Sequence, residues 1–275
     1  MDFRTIFRAS AAPLALMTAL ALGACGRSST LQAAAAPAAA APDPGYRAPP
    51  ELKGVSRAAG GGVSLSGQAA PSSTVRMVSA AGAQVQAAAD GAGAWTASLG
   101  PVSAPTLYRL AEEVGGHRVE AEGLVAVLPG APTVALLRAG YGAEVQDPGQ
   151  EAPKILAVDY DGGGGAVVSG RATASATVRI MVDGQLAIEG AAGPDGRFSL
   201  TLPKPLTPGR RRLQVLMPQG PTLLATAETV IAVTPPAVPK TGSYQASSQP
   251  YGWRIDWTTA GGGAQTTLLP TAPAG

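Results

Sequence analysis

Val178, Ile180 and Val182 alternate with Arg179 and Met181, and Phe198, Leu200 and Leu202 alternate with Arg197, Ser199 and Thr201. A hydrophobic period of two is how strands of an antiparallel sheet read when one face is buried and the other is wet. The punctuation agrees. Asp183-Gly184 and Asp195-Gly196 supply residues that accept positive φ between such strands, and Gly115-Gly116 can do the same further upstream. The spacing predicts an all-β chain with a turn about every ten residues, as in small two-sheet sandwiches.

The pattern is written twice. Ser66, Gly67, Ala69, Ser72, Thr74, Val75 and Arg76 recur as Ser169, Gly170, Ala172, Ser175, Thr177, Val178 and Arg179. After small gaps, Gly93, Trp95 and Leu99 meet Gly196, Phe198 and Leu202, and Leu110 meets Leu213. Ala121, Glu122, Ala126, Val127 and Pro129 then return as Ala227, Glu228, Ala232, Val233 and Pro235, so a whole domain is repeated rather than a short motif. Two tandem β-sandwiches are expected, with Val178, Phe198 and Trp95 in their cores.

The run from Ser169 through Val178, Asp183-Gly184 and Asp195-Gly196-Arg197-Phe198 resembles bacterial immunoglobulin-like (Ig-like) domains, where a small-residue turn precedes a Val-x-Val strand and Asp-Gly-x-aromatic opens a later one. The first copy departs from it, with Ala81-Gly82 at the first turn and Asp90-Gly91-Ala92-Gly93-Ala94-Trp95 at the second. The resemblance implies an Ig-like architecture and, by the habit of that class, a role as spacer, adhesion module or scaffold at a cell surface.

Two segments stand outside the repeat at its start. Met1 to Ala24 carries Arg4 and Arg8, then an apolar run from Ala12 to Leu22, then small residues, the plan of a secretory signal. That run is short for a membrane span of about 20 residues. Leu22-Gly23-Ala24-Cys25 resembles the lipobox of bacterial lipoproteins, in which the cysteine is acylated and becomes the new amino terminus. Cys25 is the chain's only cysteine, so an internal disulfide is excluded and an anchor explains it better than a free thiol. By the same resemblance Gly26, in place of a retaining Asp, implies the outer membrane, facing the periplasm. Residues 27–50 then run through Ala and Pro with few large apolar side chains, the composition of an extended tether.

Hydrophobic residues make up 45% of the chain and aromatic ones 4%, so cores of Val, Leu and Ala are expected. The formal charge is +2; loss of Arg4, Arg8 and Asp2 with the leader leaves 18 basic against 17 acidic side chains. Near-neutrality argues against a nucleic-acid partner. Arg210-Arg211-Arg212 is the one basic cluster, read as edge protection for a strand, with a grip on anionic headgroups as the sharper alternative.

Catalytic chemistry finds little purchase. The lone histidine, His117, follows a glycine turn with no Ser-centred elbow near it, and Gly162 to Gly165 lacks the Lys-Ser or Lys-Thr ending of a phosphate loop. One histidine with an acylated cysteine makes no common zinc set. Asp159, Asp161, Asp183 and Asp195 lack calcium-loop spacing and read as turn carboxylates. No catalytic residue, metal or cofactor is expected.

Two further segments have strand character. Thr133–Arg138 and Ala143–Gln146 flank Ala139-Gly140-Tyr141-Gly142 as a hairpin, and Tyr251–Trp257 and Gln265–Leu269 flank a loop at Gly261 to Gly263. In a strand Trp253, Ile255 and Trp257 share one face and Arg254 and Asp256 the other. That apolar face either packs back onto the second sandwich or forms a contact surface, making Tyr251, Trp253 and Trp257 the candidate binding residues. The layout expected is a leader at 1–24, a lipid-anchored tether at 25–50, sandwiches at 51–130 and 153–236, a connecting hairpin at 131–152, and a linker, aromatic hairpin and tail at 237–275. The function expected is a non-catalytic envelope lipoprotein, structural and scaffolding or protein-binding through its tandem Ig-like domains, with the membrane as partner through its lipid anchor and an unidentified envelope protein or glycan beside it. The alternative is a glycan-binding module (peptidoglycan or surface polysaccharide) or an accessory subunit of an envelope enzyme.

Overall fold

Turn residues in the left-handed region cut the chain into short strands: Ser72 and Ser175 both sit at φ 59° and Asp183 at 51°. In the computed structural model, residues 46–129, 133–146, 151–218, 224–239 and 243–270 are described. They belong to one compact unit, Gly45–Gly275. The strands of its first half are β1 (Glu51–Arg57), β2 (Val63–Gln68), β3 (Thr74–Ser79), β4 (Gln84–Ala88), β5 (Ala94–Leu99), β6 (Thr106–Val114), β7 (His117–Glu120) and β8 (Leu124–Leu128), then the hairpin β9 (Thr133–Leu137) and β10 (Glu144–Gln146). The second half has β11 (Lys154–Asp161), β12 (Ala166–Arg171), β13 (Thr177–Val182), β14 (Gln185–Ala191), β15 (Arg197–Thr201), β16 (Gly209–Pro218) and β17 (Leu224–Val233), then β18 (Tyr244–Gln249), β19 (Gly252–Thr258) and β20 (Ala264–Pro270).

These strands form four sheets, ordered β1-β2-β5, then β10-β9-β8-β6-β3-β4 with β7 also on β6, then β15-β12-β11-β20-β19-β18, then β14-β13-β16-β17. Without the strands that follow each repeat, β1-β2-β5 beside β4-β3-β6-β8 returns as β11-β12-β15 beside β14-β13-β16-β17. The fold is all-β and of Ig-like sandwich type. Small irregularities recur as well. A bulge interrupts β1 between Leu52 and Gly54 and β11 between Ile155 and Ala157. Strand pairing also refines the repeat: Leu110 lies opposite Met77 and Val215 opposite Ile180. The counterpart of Leu110 is thus Val215, two residues from Leu213, a shift that keeps the same face inward.

Three cores hold the sheets together. One includes Leu65, Val75, Met77, Trp95 and Leu110, between the two sheets of the first half. Its counterpart includes Val168, Val178, Ile180, Phe198 and Leu213 in the second. Trp95, Val178 and Phe198 are buried, as the alternation predicts. The third core was not expected. It joins Leu107, Ala126, Leu128, Ala135, Leu137, Ala143 and Val145 from the first half to Leu156, Ala157, Ile255, Trp257 and Leu269 from the second. β8 is therefore covered on both faces, Val125 and Val127 in one core and Ala126 and Leu128 in another.

The segments after each repeat make this third core. The 133–146 hairpin forms as expected but extends the sheet at β8 instead of standing apart as a connector. The C-terminal segment is a three-stranded meander, not a hairpin, and β20 enters the second half's sheet beside β11.

Candidate functional site: the two faces of β19

Alternation along β19 sends Trp253, Ile255 and Trp257 one way and Arg254 and Asp256 the other. The apolar face lies against the third core, facing the first half of the unit. Trp257 is 2% exposed and Ile255 fully buried, while Trp253 is half-buried and packed against the same core. Of the three candidate binding residues, Trp257 is thus an interior side chain. Only Tyr251 and Trp253 line a common groove.

A buried polar thread runs through the third core beside Trp257. The indole Nε1 donates to Thr267 Oγ1 at 3.1 Å, and Thr267 Oγ1 donates to Asp159 Oδ1 at 2.5 Å. The Ala143 backbone N–H, from the β9–β10 hairpin, donates to Asp159 Oδ2 at 2.6 Å, and Gln265 Nε2 reaches Oδ1 at 3.5 Å. Asp159 is 2% exposed. Burial pushes its carboxyl up to about 6, against the opposing pull of the bonds from Thr267, Ala143 and Gln265. Asp159 thus lies within β11 and not in the turn expected of it; the run Ile155 to Tyr160, apolar except for this residue, is the sign in the sequence that it is enclosed.

On the opposite face, Arg254 and Asp256 form a bidentate pair, Nη2 to Oδ1 and Nε to Oδ2 both at 2.7 Å. Their side chains are 11% and 8% exposed. Arg254 also donates to Tyr160 Oη, Thr234 Oγ1 and the Pro235 carbonyl, and Asp256 accepts from Thr266 Oγ1 and the Ala237 N–H. Burial alone would lower the Arg254 guanidinium, but the bond to Asp256 and the electrostatic pull of the Tyr160 hydroxyl and the Asp256 carboxylate leave it raised. Arg254 and Thr234 also line a groove of about 470 Å³, together with Arg210, Ile231, Tyr251, Trp253 and Leu268. At its rim Arg210 donates to the Tyr251 hydroxyl, with its guanidinium 5.3 Å from the ring centroid.

The remaining candidates scatter. Cys25 lies outside the described residues. His117 opens β7 on the surface. Arg211 pairs with Asp183, whose carboxyl is held below its usual range by the Arg212 N–H and the Arg211 guanidinium, and Arg212 pairs with Glu228. Asp161 and Asp195 accept the Gly165 and Arg197 N–H groups, the turn-capping role expected of them. Sequence reading also passed over Glu112, which is fully buried and accepts from the Ala70 N–H at 2.7 Å and Ser73 Oγ at 3.2 Å.

Four sheets of antiparallel strands with a repeated sandwich order define an Ig-like all-β protein. Residues 151–219 match the family model of the bacterial Ig domain. No curated protein matches the chain. Among solved structures it is similar to the BSP domain of a biofilm-associated protein, at 14% identity and TM-score 0.25 over 69% of this chain and 30% of that one. It is also similar to a 1.5-MDa bacterial ice-binding adhesin, at 12% identity and TM-score 0.21 over 82% and 88% of the two chains. The chain thus spans about a third of the length of the first of these, and similarity at this level identifies no function.

Proposed function

We propose that this chain is a non-catalytic cell-envelope lipoprotein whose two Ig-like units, at 51–130 and 153–236, serve as a structural or protein-binding scaffold. The observation that carries the reading is the bacterial Ig domain at 151–219, set in a fold whose strand order occurs twice. The Leu22-Gly23-Ala24-Cys25 sequence supports acylation at Cys25, and the Ala/Pro tract after it supports a tether that carries the folded unit away from the outer membrane into the periplasm. The geometry favours scaffold over glycan stacking: Trp257 is interior and Trp253 packs against the third core, which leaves Tyr251, already clasped by Arg210, as the candidate ring.

Metabolic labelling with a clickable palmitate analogue tests the anchor, and crosslinking in intact envelopes followed by capture tests the partner. The expected outcome is a labelled outer-membrane protein that loses both label and crosslinked partner on Cys25→Ser. Equal labelling of the variant would overturn the anchor, and fractionation with inner-membrane markers would overturn the placement.

A further inference from the structure

The sheet containing β11 has six strands and the one it packs against through the second half's core has four, so on the face that carries Arg254 and Asp256, β19 and β18 extend past β17 with no strand opposite them among the described residues. A sandwich mismatched in this way stays open on one side. The chain after Val233 covers part of the opening, where the Pro235 carbonyl and Ala237 N–H bind Arg254 and Asp256. The groove of about 470 Å³ is what remains, within the roughly 300–1,000 Å³ usual for small-molecule sites.

Its chemistry is uneven in an informative way. Arg254, which lines the groove, is neutralised by Asp256 and has its donors already engaged, so it presents a preformed surface and no free charge. The walls are largely apolar, from Ile231, Leu268, Pro250 and Pro270 with the Tyr251 and Trp253 rings. Two polar wall residues are committed elsewhere: Gln249 Nε2 donates to Ser247 Oγ at 3.0 Å, and Thr234 Oγ1 accepts from Arg254. Of the three consecutive arginines, Arg211 and Arg212 have acidic partners, whereas Arg210, which lines the groove, has none among the described residues and is held there by Tyr251.

We propose that this groove binds a small amphiphile bearing one carboxylate, with its hydrocarbon against Ile231, Leu268, Pro250 and Pro270 and its charge on the Arg210 guanidinium. A planar guanidinium with spare donors matches a carboxylate in two parallel bonds. An apolar wall lowers the free energy of an alkyl chain and offers few partners to the several hydroxyls of a sugar.

Titration of the full chain with octanoate below its micellar threshold, by calorimetry and amide chemical shifts, tests the assignment. Octanoate should bind saturably and shift the amides of residues 231–234, 249 and 251–254. Octan-1-ol, which lacks the charge, and glucuronate, which lacks the chain, should each bind at least about tenfold more weakly, and Arg210→Gln should cost octanoate about the same factor. Arg210 is exposed, so the variant should keep its melting temperature. Octanoate affinity unchanged in Arg210→Gln, octan-1-ol bound as tightly as octanoate, or no shift at these amides would each overturn the site. Glucuronate bound there in preference to octanoate would replace it with an acidic-sugar site.

Discussion

Glu112 and Met217 do the same work in different chemistry. The Ala70 N–H donates to the Glu112 carboxylate, and its counterpart, the Thr173 N–H, donates to Met217 Sδ at 3.3 Å. Ser73, the second donor to Glu112, corresponds to Ala176: the carbonyls of both accept the N–H of an alanine, Ala89 or Ala192. One half thus holds a carboxylate and a hydroxyl where the other holds a thioether and a methyl, and Glu112 Oε1 is buried with no partner among the described residues. Replacing both polar groups by apolar ones of similar shape is close to neutral, whereas removing one strands the other. The double variant Ser73→Ala, Glu112→Met should therefore keep or raise stability in urea unfolding, while Glu112→Ala alone should lose about 1–3 kcal/mol.

Asp159 makes a second prediction at this scale. Its carboxyl titrates at about 6 when folded, against 3.8 for the ordinary group. The folded chain holds this proton more tightly, so folding takes up a proton between those values and stability from this group falls as pH rises through 6. Two units correspond to about 3 kcal/mol at neutral pH relative to the protonated side chain. Asp159→Asn keeps an acceptor for the Ala143 N–H and offers a donor to Thr267, so its melting temperature should rise at pH 7 and vary less between pH 4 and 7. Parallel curves for the two proteins would show that Asp159 does not titrate in this range.

Among the strands, close approach and two-sided burial set the demands. A Cβ on Gly170 would lie 2.1 Å from the Lys154 carbonyl oxygen and 2.5 Å from the Phe198 ring, and Gly67 meets the Glu51 carbonyl and the Trp95 ring in the same way. The aromatic side chain lies over the glycine of the neighbouring strand in both halves, which accounts for two glycines inside strands. Gly170→Ala should cost on the order of 1–3 kcal/mol in chemical denaturation, because backbone on the partner strand must move. In β19 the two tryptophans should part company. Trp257→Ala should cost about 3–5 kcal/mol and leave Thr267 without its indole donor, whereas half-buried Trp253→Ala should cost markedly less. Equal losses would mean that the two rings share one environment.

The whole unit holds three cores where two sandwiches strung on a linker would have two. The third draws on β8, β9 and β10 from one half and β11, β19 and β20 from the other, so neither half should unfold without exposing apolar surface of its neighbour. Calorimetry of the intact chain should show a single transition. Truncation after Pro239 removes β18 to β20, deprives β11 of a partner strand and opens the third core. The truncated chain should melt more than about 10 °C lower or in two steps. Unchanged melting would mean that the C-terminal strands are attached to the unit without stabilising it.

Local chemistry along the sequence was enough to determine the duplication and, within the repeat, the alternating strands and their turns. The two-residue period at Val178 to Val182, the Asp-Gly turns and the repeated Ser-Gly spacing are set by φ preferences and side-chain direction, which need only near neighbours. Partial signs of the third core were also present. Leu124 to Leu128, Val134 to Leu137 and Ile155 to Val158 are unbroken apolar runs, as expected of strands covered on both sides. What covers the second side was decided by tertiary structure alone. A period of two says that a face is apolar and not which surface it meets, and Trp257, Asp159 and Ala143 come from segments far apart in the chain. The groove at Arg210 has the same origin. It exists because one sheet gained strands that its partner lacks, a mismatch written in pairing between β11 and β20 and in no single stretch of residues.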